Sequence, residues 1–118
     1  MKRRTLWLAA ALVLAPVAAL AHGHLDHAKP AVGSTVAAPT EVSLWFTEAV
    51  EPKFSTIAVQ DAKGTAMQVG KAEVAADNTA NLKIKVKPLP PGVYTVTWKI
   101  LSVDTHRTQG TFSFTVRP

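Results

Sequence analysis

The sequence predicts an all-β domain, an antiparallel sandwich or barrel, and three observations support this fold class. Apolar and polar residues alternate with a period of two through several short segments, as in half-buried strands. Turn-forming residues separate these segments. No segment shows the 3.6-residue repeat of an amphipathic helix. A chain of 118 residues has room for one such domain and no second one.

The first clear strand begins at Glu41. Its apolar side chains, Val42, Leu44 and Phe46, alternate with Ser43, Trp45 and Thr47. Further strands are predicted where the same pattern returns, at 54–60, 66–69, 80–86, 93–101 and 111–116. Turns are predicted at 62–64, 77–78 and 88–92. Residues 29–39 are rich in turn formers and predict a loop, and the His-rich segment before them is expected to add an edge strand.

The longest strand also predicts the core. One of its faces carries Tyr94, Val96, Trp98 and Ile100, and these are expected to meet Leu82, Ile84 and Val86. We interpret Trp98 as a packing residue, because bulky aromatic side chains at alternating strand positions fill interiors. The opposite face of the neighbouring strand, with Lys83, Lys85 and Lys87, is interpreted as solvated; the alternative is a patch for acidic ligands.

The first 21 residues have the features of a secretory signal peptide. A basic start at 2–4 precedes an apolar run at 6–20 and the small-residue end Ala19-Leu20-Ala21. The alternative, a permanent membrane anchor, is disfavoured because a spanning helix needs roughly 20 apolar residues. We therefore predict a cleaved signal at 1–21 and a domain at 22–118 that begins with His22.

Composition narrows the classes of function. Loss of three basic residues with the signal lowers the net charge from +5 to +2, and no cluster of basic and aromatic residues predicts a nucleic-acid surface. The chain has no cysteine, although small exported domains often carry disulfides. Thiolate metal sites and cysteine nucleophiles are thus excluded, and His, Asp, Glu and Met remain as side-chain ligands.

The four histidines suggest a metal site. His22, His24 and His27 crowd at the start of the mature chain, and His106 stands alone. An N-terminal His22 would chelate one ion through its amine and its ring, and both groups deprotonate readily near neutral pH. The motif Asp104-Thr105-His106 at the end of a strand is expected to place its two outer side chains on one face.

Three nitrogens and one carboxylate oxygen suit tetragonal Cu(II), while Zn(II) and Ni(II) remain alternatives. His24 is either an auxiliary ligand or a neighbour of the site. As third residue of the mature chain, it could also complete a local chelate with His22 that does not use Asp104. We interpret His27, Glu48 and Glu51 as solvated polar residues.

The chain resembles the CopC family of periplasmic copper-binding proteins along the whole predicted mature domain. The matching stretches are 22–25, 29–34, 44–48, 91–98, 102–106 and 110–114. The resemblance implies a seven-stranded Greek-key sandwich, similar in outline to a cupredoxin or immunoglobulin domain. It also implies one Cu(II) held by the amine and ring of His22, by Asp104 and by His106. The methionine-rich Cu(I) site of some members is not expected, because Met67 is the only methionine after residue 21.

The predicted function is capture or buffering of Cu(II) in the periplasm by a monomeric non-enzyme, in copper homeostasis or resistance. The resemblance suggests delivery to a CopD-like inner-membrane importer. Two other classes stay open. One is a copper monooxygenase with an N-terminal histidine brace, which would turn over with ascorbate. The other is an immunoglobulin-like adhesion domain, which would bind no metal tightly.

Overall fold

A computed structural model describes residues 24–118 of the chain. The predicted signal peptide at 1–21 and the candidate ligand His22 lie outside the described residues. The described chain forms eight strands: β1 (Leu25–Lys29), β2 (Thr35–Val36), β3 (Glu41–Phe46), β4 (Thr56–Gln60), β5 (Gln68–Ala75), β6 (Asn78–Val86), β7 (Gly92–Leu101) and β8 (Arg107–Val116). A single 3₁₀ turn, Pro52–Phe54, precedes β4. No helix within 24–118 is long and apolar enough to cross a bilayer.

The strands form two four-stranded sheets that face each other. The first, sheet A, has the order β1-β3-β6-β5, and the second, sheet B, has the order β2-β8-β7-β4. The pairings are antiparallel except that β2 runs parallel to β8. Only β5–β6 and β7–β8 among the described strands are neighbours both in sequence and in one sheet, so the chain repeatedly crosses between sheets. The predicted all-β sandwich class is confirmed.

The core lies between the sheets and contains the residues that alternation predicted. Trp98 is 5% exposed and meets Phe46 edge to face, with ring centroids 5.0 Å apart. The inward residues of β7 and β6 belong to one buried cluster: Tyr94, Val96, Trp98, Ile100, Leu82, Ile84 and Val86. Because each buried aliphatic or aromatic side chain contributes roughly 1.5–3 kcal/mol, this cluster stabilises a domain that has no disulfide.

The outward face of β6 is solvated, as predicted. Lys85 and Lys87 are exposed, and Lys83 is half-buried. The Lys83 Nζ lies 3.9 Å from a carboxylate oxygen of Glu41 on β3, an exposed ion pair of small energetic value.

Three local features differ from the sequence prediction. The loop predicted at 29–39 contains β2, an eighth strand, because backbone groups of 34–36 bond to 115–117 of the last strand. The third predicted strand continues to Ala75, where polar, exposed residues pair with β6. The last strand begins at Arg107 rather than Thr111, since its polar first half pairs with β7. Backbone pairing, which needs no apolar side chain, explains all three differences.

Candidate metal centre

The loop between β7 and β8 carries the sequence motif that contains Asp104 and His106. The backbone N–H of Ser102 donates to the carbonyl of His106 (2.9 Å), and the N–H of Thr105 donates to the carbonyl of Ser102 (2.8 Å). Thr105 has a φ of +71°, in the left-handed region. These features define a tight hairpin loop of three residues closed by a left-handed residue. The chain reverses direction at this loop, so the motif lies at the tip of the β7–β8 hairpin.

Asp104 and His106 are brought together by this loop. The Nδ1 of His106 lies 3.3 Å from Oδ1 of Asp104, and the two side chains are 50% and 42% exposed, respectively. Two donors bound at right angles to one ion at about 2.0 Å lie about 2.8 Å apart, so this spacing is close to that of adjacent metal ligands. The prediction that the two side chains share one side is met. A left-handed turn at Thr105 produces the arrangement, instead of the extended strand that the sequence suggested.

The Asp104 carboxylate is held in its charged form. The hydroxyl of Ser102 donates a hydrogen bond to Asp104 Oδ1. This hydrogen bond is the main reason why the pKa of Asp104 falls from 3.8 to about 2; partial desolvation opposes the fall, and His106 adds to it. A carboxylate that is ionised at neutral pH needs no deprotonation before it binds a cation.

The start of the described chain lies at the same end of the sandwich as this pair. The N–H of His24 donates to Thr47 Oγ1 (3.1 Å), and the N–H of Thr47 donates to the carbonyl of His24 (3.0 Å). Two residues further on, the carbonyl of Ala49 accepts from the N–H of Val103 in the β7–β8 loop (3.0 Å). A two-residue segment spans at most about 7 Å. Strand β1 therefore begins near the β7–β8 loop.

The described residues contain two of the predicted donors in contact, not a full set. Across residues 24–118, no group of three or more His, Asp or Glu side chains is positioned to hold a metal ion. His24 thus does not complete a cluster with Asp104 and His106. His22 lies outside the described residues, so the proposed amine and ring donors stay a prediction.

Within residues 24–118, the remaining candidates form no metal-binding group with the pair. His27 is exposed and contacts its neighbour Asp26, with Nδ1 2.7 Å from Oδ2. Met67 is 9% exposed and belongs to the hydrophobic core. Glu51 is exposed and Glu48 is half-buried.

Ser102 is a residue to which sequence analysis gave no role. It is 1% exposed, and its hydroxyl contacts the Asp104 carboxylate. The signal was present in the alternation of β7, because Ser102 continues the inward series that ends with Trp98 and Ile100. A polar residue at an inward position needs a hydrogen-bond partner, and the nearest polar side chain along the sequence is Asp104.

Comparison with known proteins agrees with this fold. The CopC domain model matches residues 25–117. Protein YobA of Escherichia coli K12 is 36% identical over 99 residues, which cover 82% of this chain and 80% of that protein. Copper resistance protein C of Xanthomonas campestris pv. juglandis is 34% identical over 110 residues, covering 88% and 87%.

A solved structure shares the architecture. The crystal structure of CopC from Methylosinus trichosporium OB3b superimposes with a TM-score of 0.77 at 37% identity. The match covers 82% of this chain and 95% of that one. The eight-stranded sandwich, the domain match over nearly all described residues and these relatives lead to one conclusion: the chain belongs to the CopC family.

Proposed function

We propose that this protein is an exported Cu(II)-binding protein that captures or buffers one copper ion in copper homeostasis or resistance. The amine and ring of His22, the carboxylate of Asp104 and the ring of His106 are the proposed ligands. The observation that carries the proposal is the contact of 3.3 Å between an imidazole nitrogen and a carboxylate oxygen in an exposed hairpin loop.

The chemistry of the donors favours a divalent ion of the late transition series. Imidazole nitrogen suits Cu(II), Ni(II) and Zn(II), and Cu(II) binds most tightly of these to a given site. Soft donors, which would favour Cu(I), are not available at the pair: the chain has no cysteine, and Met67 is packed in the core. Asp104 is ionised at neutral pH, and its negative charge favours Cu(II) over Cu(I).

The position of His24 supports the proposal that the residues before it contribute ligands to the copper site. His24 is bonded to Thr47, and the β7–β8 loop is bonded to Ala49. His22 precedes His24 by two residues, a reach of about 7 Å. Cleavage after Ala21 would supply the free amine at this end of the sandwich.

Exposure of the pair supports a role in carriage rather than catalysis. Both side chains are about half exposed at the tip of a hairpin, where a second protein can approach the bound ion. We propose that the protein works in the periplasm as a monomer and delivers copper to a CopD-like membrane importer. A relative of this chain bears the name copper resistance protein C, in line with a role in copper handling.

The test is a Cu(II) titration against a competing chelator, read by EPR, on protein that has been exported and processed and whose N-terminus is established as His22. The double variant Asp104→Ala/His106→Ala is compared with wild type. We expect wild type to bind one equivalent, and the variant to lose at least about 100-fold in affinity, because loss of direct ligands should exceed the 10–100-fold effect of outer-shell partners.

The matched control is Asp26→Ala/His27→Ala, which removes the other contacting Asp and His, in strand β1. It should retain wild-type affinity. If the Asp104/His106 variant binds copper as tightly as wild type, the ion is held elsewhere, as in a local His22-Gly23-His24 chelate, and the proposed site is wrong.

A further inference from the structure

Ser102 contacts both halves of the Asp104–His106 pair. Its hydroxyl donates to Asp104 Oδ1, and its backbone N–H donates to the carbonyl of His106. The same hydroxyl oxygen lies 3.1 Å from the His106 carbonyl. A serine hydroxyl has one hydrogen, and the carboxylate is the stronger acceptor, so the hydrogen is directed to Asp104.

The backbone of Ser102 is fixed by its neighbours. Val50 and Ser102 form an antiparallel bridge, and the residues on either side of Ser102 bond to the same segment. The N–H of Val103 donates to Ala49 (3.0 Å), and the carbonyl of Leu101 accepts from Glu51 (2.9 Å). The Ser102 side chain is 1% exposed. Its hydroxyl therefore projects from a buried, well-anchored position.

The Asp104 carboxylate contacts Ser102 and His106, and of these two partners Ser102 is the buried one. Asp104 is in the three-residue loop, and its side chain is 42% exposed. An exposed carboxylate in a loop samples several rotamers, and binding a metal would require it to stop in one of them. A buried hydroxyl that donates to Oδ1 selects the rotamer before the ion arrives. Outer-shell hydrogen bonds that fix a ligand in this way affect metal affinity even though they do not touch the metal.

We infer that Ser102 is the positioning residue of the metal site: its buried hydroxyl preorients the Asp104 carboxylate beside His106 for a divalent ion. This inference rests on the proposed function. Ser102 acts through Asp104, so its effect on copper binding disappears when Asp104 is absent.

The experiment measures Cu(II) affinity of the exported, processed protein by chelator competition, with EPR spectra of the loaded forms. Ser102→Ala is expected to lose roughly 10–100-fold in affinity, the range for outer-shell partners, and to change the EPR spectrum. Ser102→Thr keeps the hydroxyl and should stay close to wild type. In an Asp104→Ala background, Ser102→Ala should cause no further loss.

Ser55→Ala is the matched control for a purely structural effect. Ser55 is also buried, and its hydroxyl bonds to the backbone of Glu51 and Leu101 at the same end of the sandwich. It contacts neither Asp104 nor His106, so its removal should lower the thermal stability of the metal-free protein without lowering copper affinity. An equal loss of affinity in Ser55→Ala would show general loosening and would overturn the inference.

Two further results would overturn it: wild-type affinity in Ser102→Ala, or an equal loss when Asp104 is already alanine. Unchanged affinity in Asp104→Ala alone would instead show that the proposed copper site is wrong, and the role of Ser102 with it. If Ser102→Ala does not fold, NMR scalar couplings in metal-free wild type test the inference instead, because they report the side-chain rotamer of Asp104. One fixed rotamer is expected, and averaging among rotamers would contradict the inference.

Discussion

Two pairs of neighbouring Asp and His residues lie on this domain, and they differ in what supports them. Asp26 and His27 are on the edge strand β1, 2.7 Å apart and more than half exposed. The ring of His27 stacks on Trp45, with centroids 4.5 Å apart and planes 8° from parallel. Asp104 and His106 are 3.3 Å apart in a hairpin loop, with the buried hydroxyl of Ser102 beneath them.

Proximity of an Asp and a His alone does not identify a metal site. The Asp26–His27 pair is the shorter contact, but one face of its imidazole is covered by Trp45. The pairing of β1 with β3 is irregular at this point: its register shifts between Leu25 and His27, and this irregularity lets adjacent side chains meet. The Asp104–His106 pair instead rests on a buried polar residue at the end of the longest hairpin. Anchoring to the core is therefore the feature that distinguishes the two.

The largest expected effect on stability comes from a substitution at Gly110, which tests how tightly the β7–β8 hairpin is packed. Gly110 on β8 is opposite Trp98, and a Cβ at this position would lie 2.5 Å from Trp98 Cζ2. Because Trp98 is buried and fixed by Phe46, Gly110→Ala should lower the free energy of unfolding by about 1–3 kcal/mol. Denaturant melts of the metal-free protein provide the measurement.

The matching substitution in the edge strand β1 is Lys29→Ala, at an exposed position. It should change the free energy of unfolding by less than about 0.5 kcal/mol, as is usual for surface substitutions. Equal effects of the two substitutions would contradict the view that the hairpin is the tightly packed region and the edge strand the tolerant one.

A smaller effect on stability is expected from Asp104→Asn, and its pH dependence tests the hydrogen bond between Ser102 and Asp104. The folded-state pKa of Asp104 is about 2, below its ordinary 3.8, so the ionised carboxylate stabilises the fold at pH values above 3.8. That contribution is lost as the pH falls from 3.8 through about 2. Asp104→Asn should therefore be less stable than wild type at pH 5, and the difference should shrink at pH 2 to 3. Urea melts across this range measure it, and a constant difference would show that the carboxylate is not held in its charged form.

Much of the fold could be predicted because the core strands obey a simple rule. In β3, in β6 from Leu82 and in β7 from Tyr94 to Ile100, every second residue is apolar and buried, and the sequence shows this directly. Strand β2 depends on backbone hydrogen bonds to the distant strand β8, and the second half of β5 depends on backbone pairing with its neighbour β6. Lys71 and Glu73 are polar residues of a strand with a largely exposed face, and no periodic pattern marks them.

The contact between Asp104 and His106 was predictable from the sequence, but its geometry was not. The spacing of Asp104 and His106 indicated that they would be neighbours, and they are. The left-handed conformation of Thr105 was not predictable, because a β-branched residue rarely adopts it. The inward position of Ser102 indicates a polar partner, but the hydrogen bond from its hydroxyl to Asp104 Oδ1 is seen only in the structure.

We propose that the processed N-terminus and the Asp104–His106 pair hold the same copper ion. The most direct test compares the Cu(II) affinity of protein that begins at His22 with that of a chain carrying one extra glycine before His22, each with and without Asp104→Ala/His106→Ala. The extra residue converts the amine into an amide, so the extended chain should lose at least about 100-fold, or about 2.8 kcal/mol. The two changes should also be far from additive, because both dismantle one site. Equal affinities of the native and extended chains, or strictly additive losses, would contradict the account.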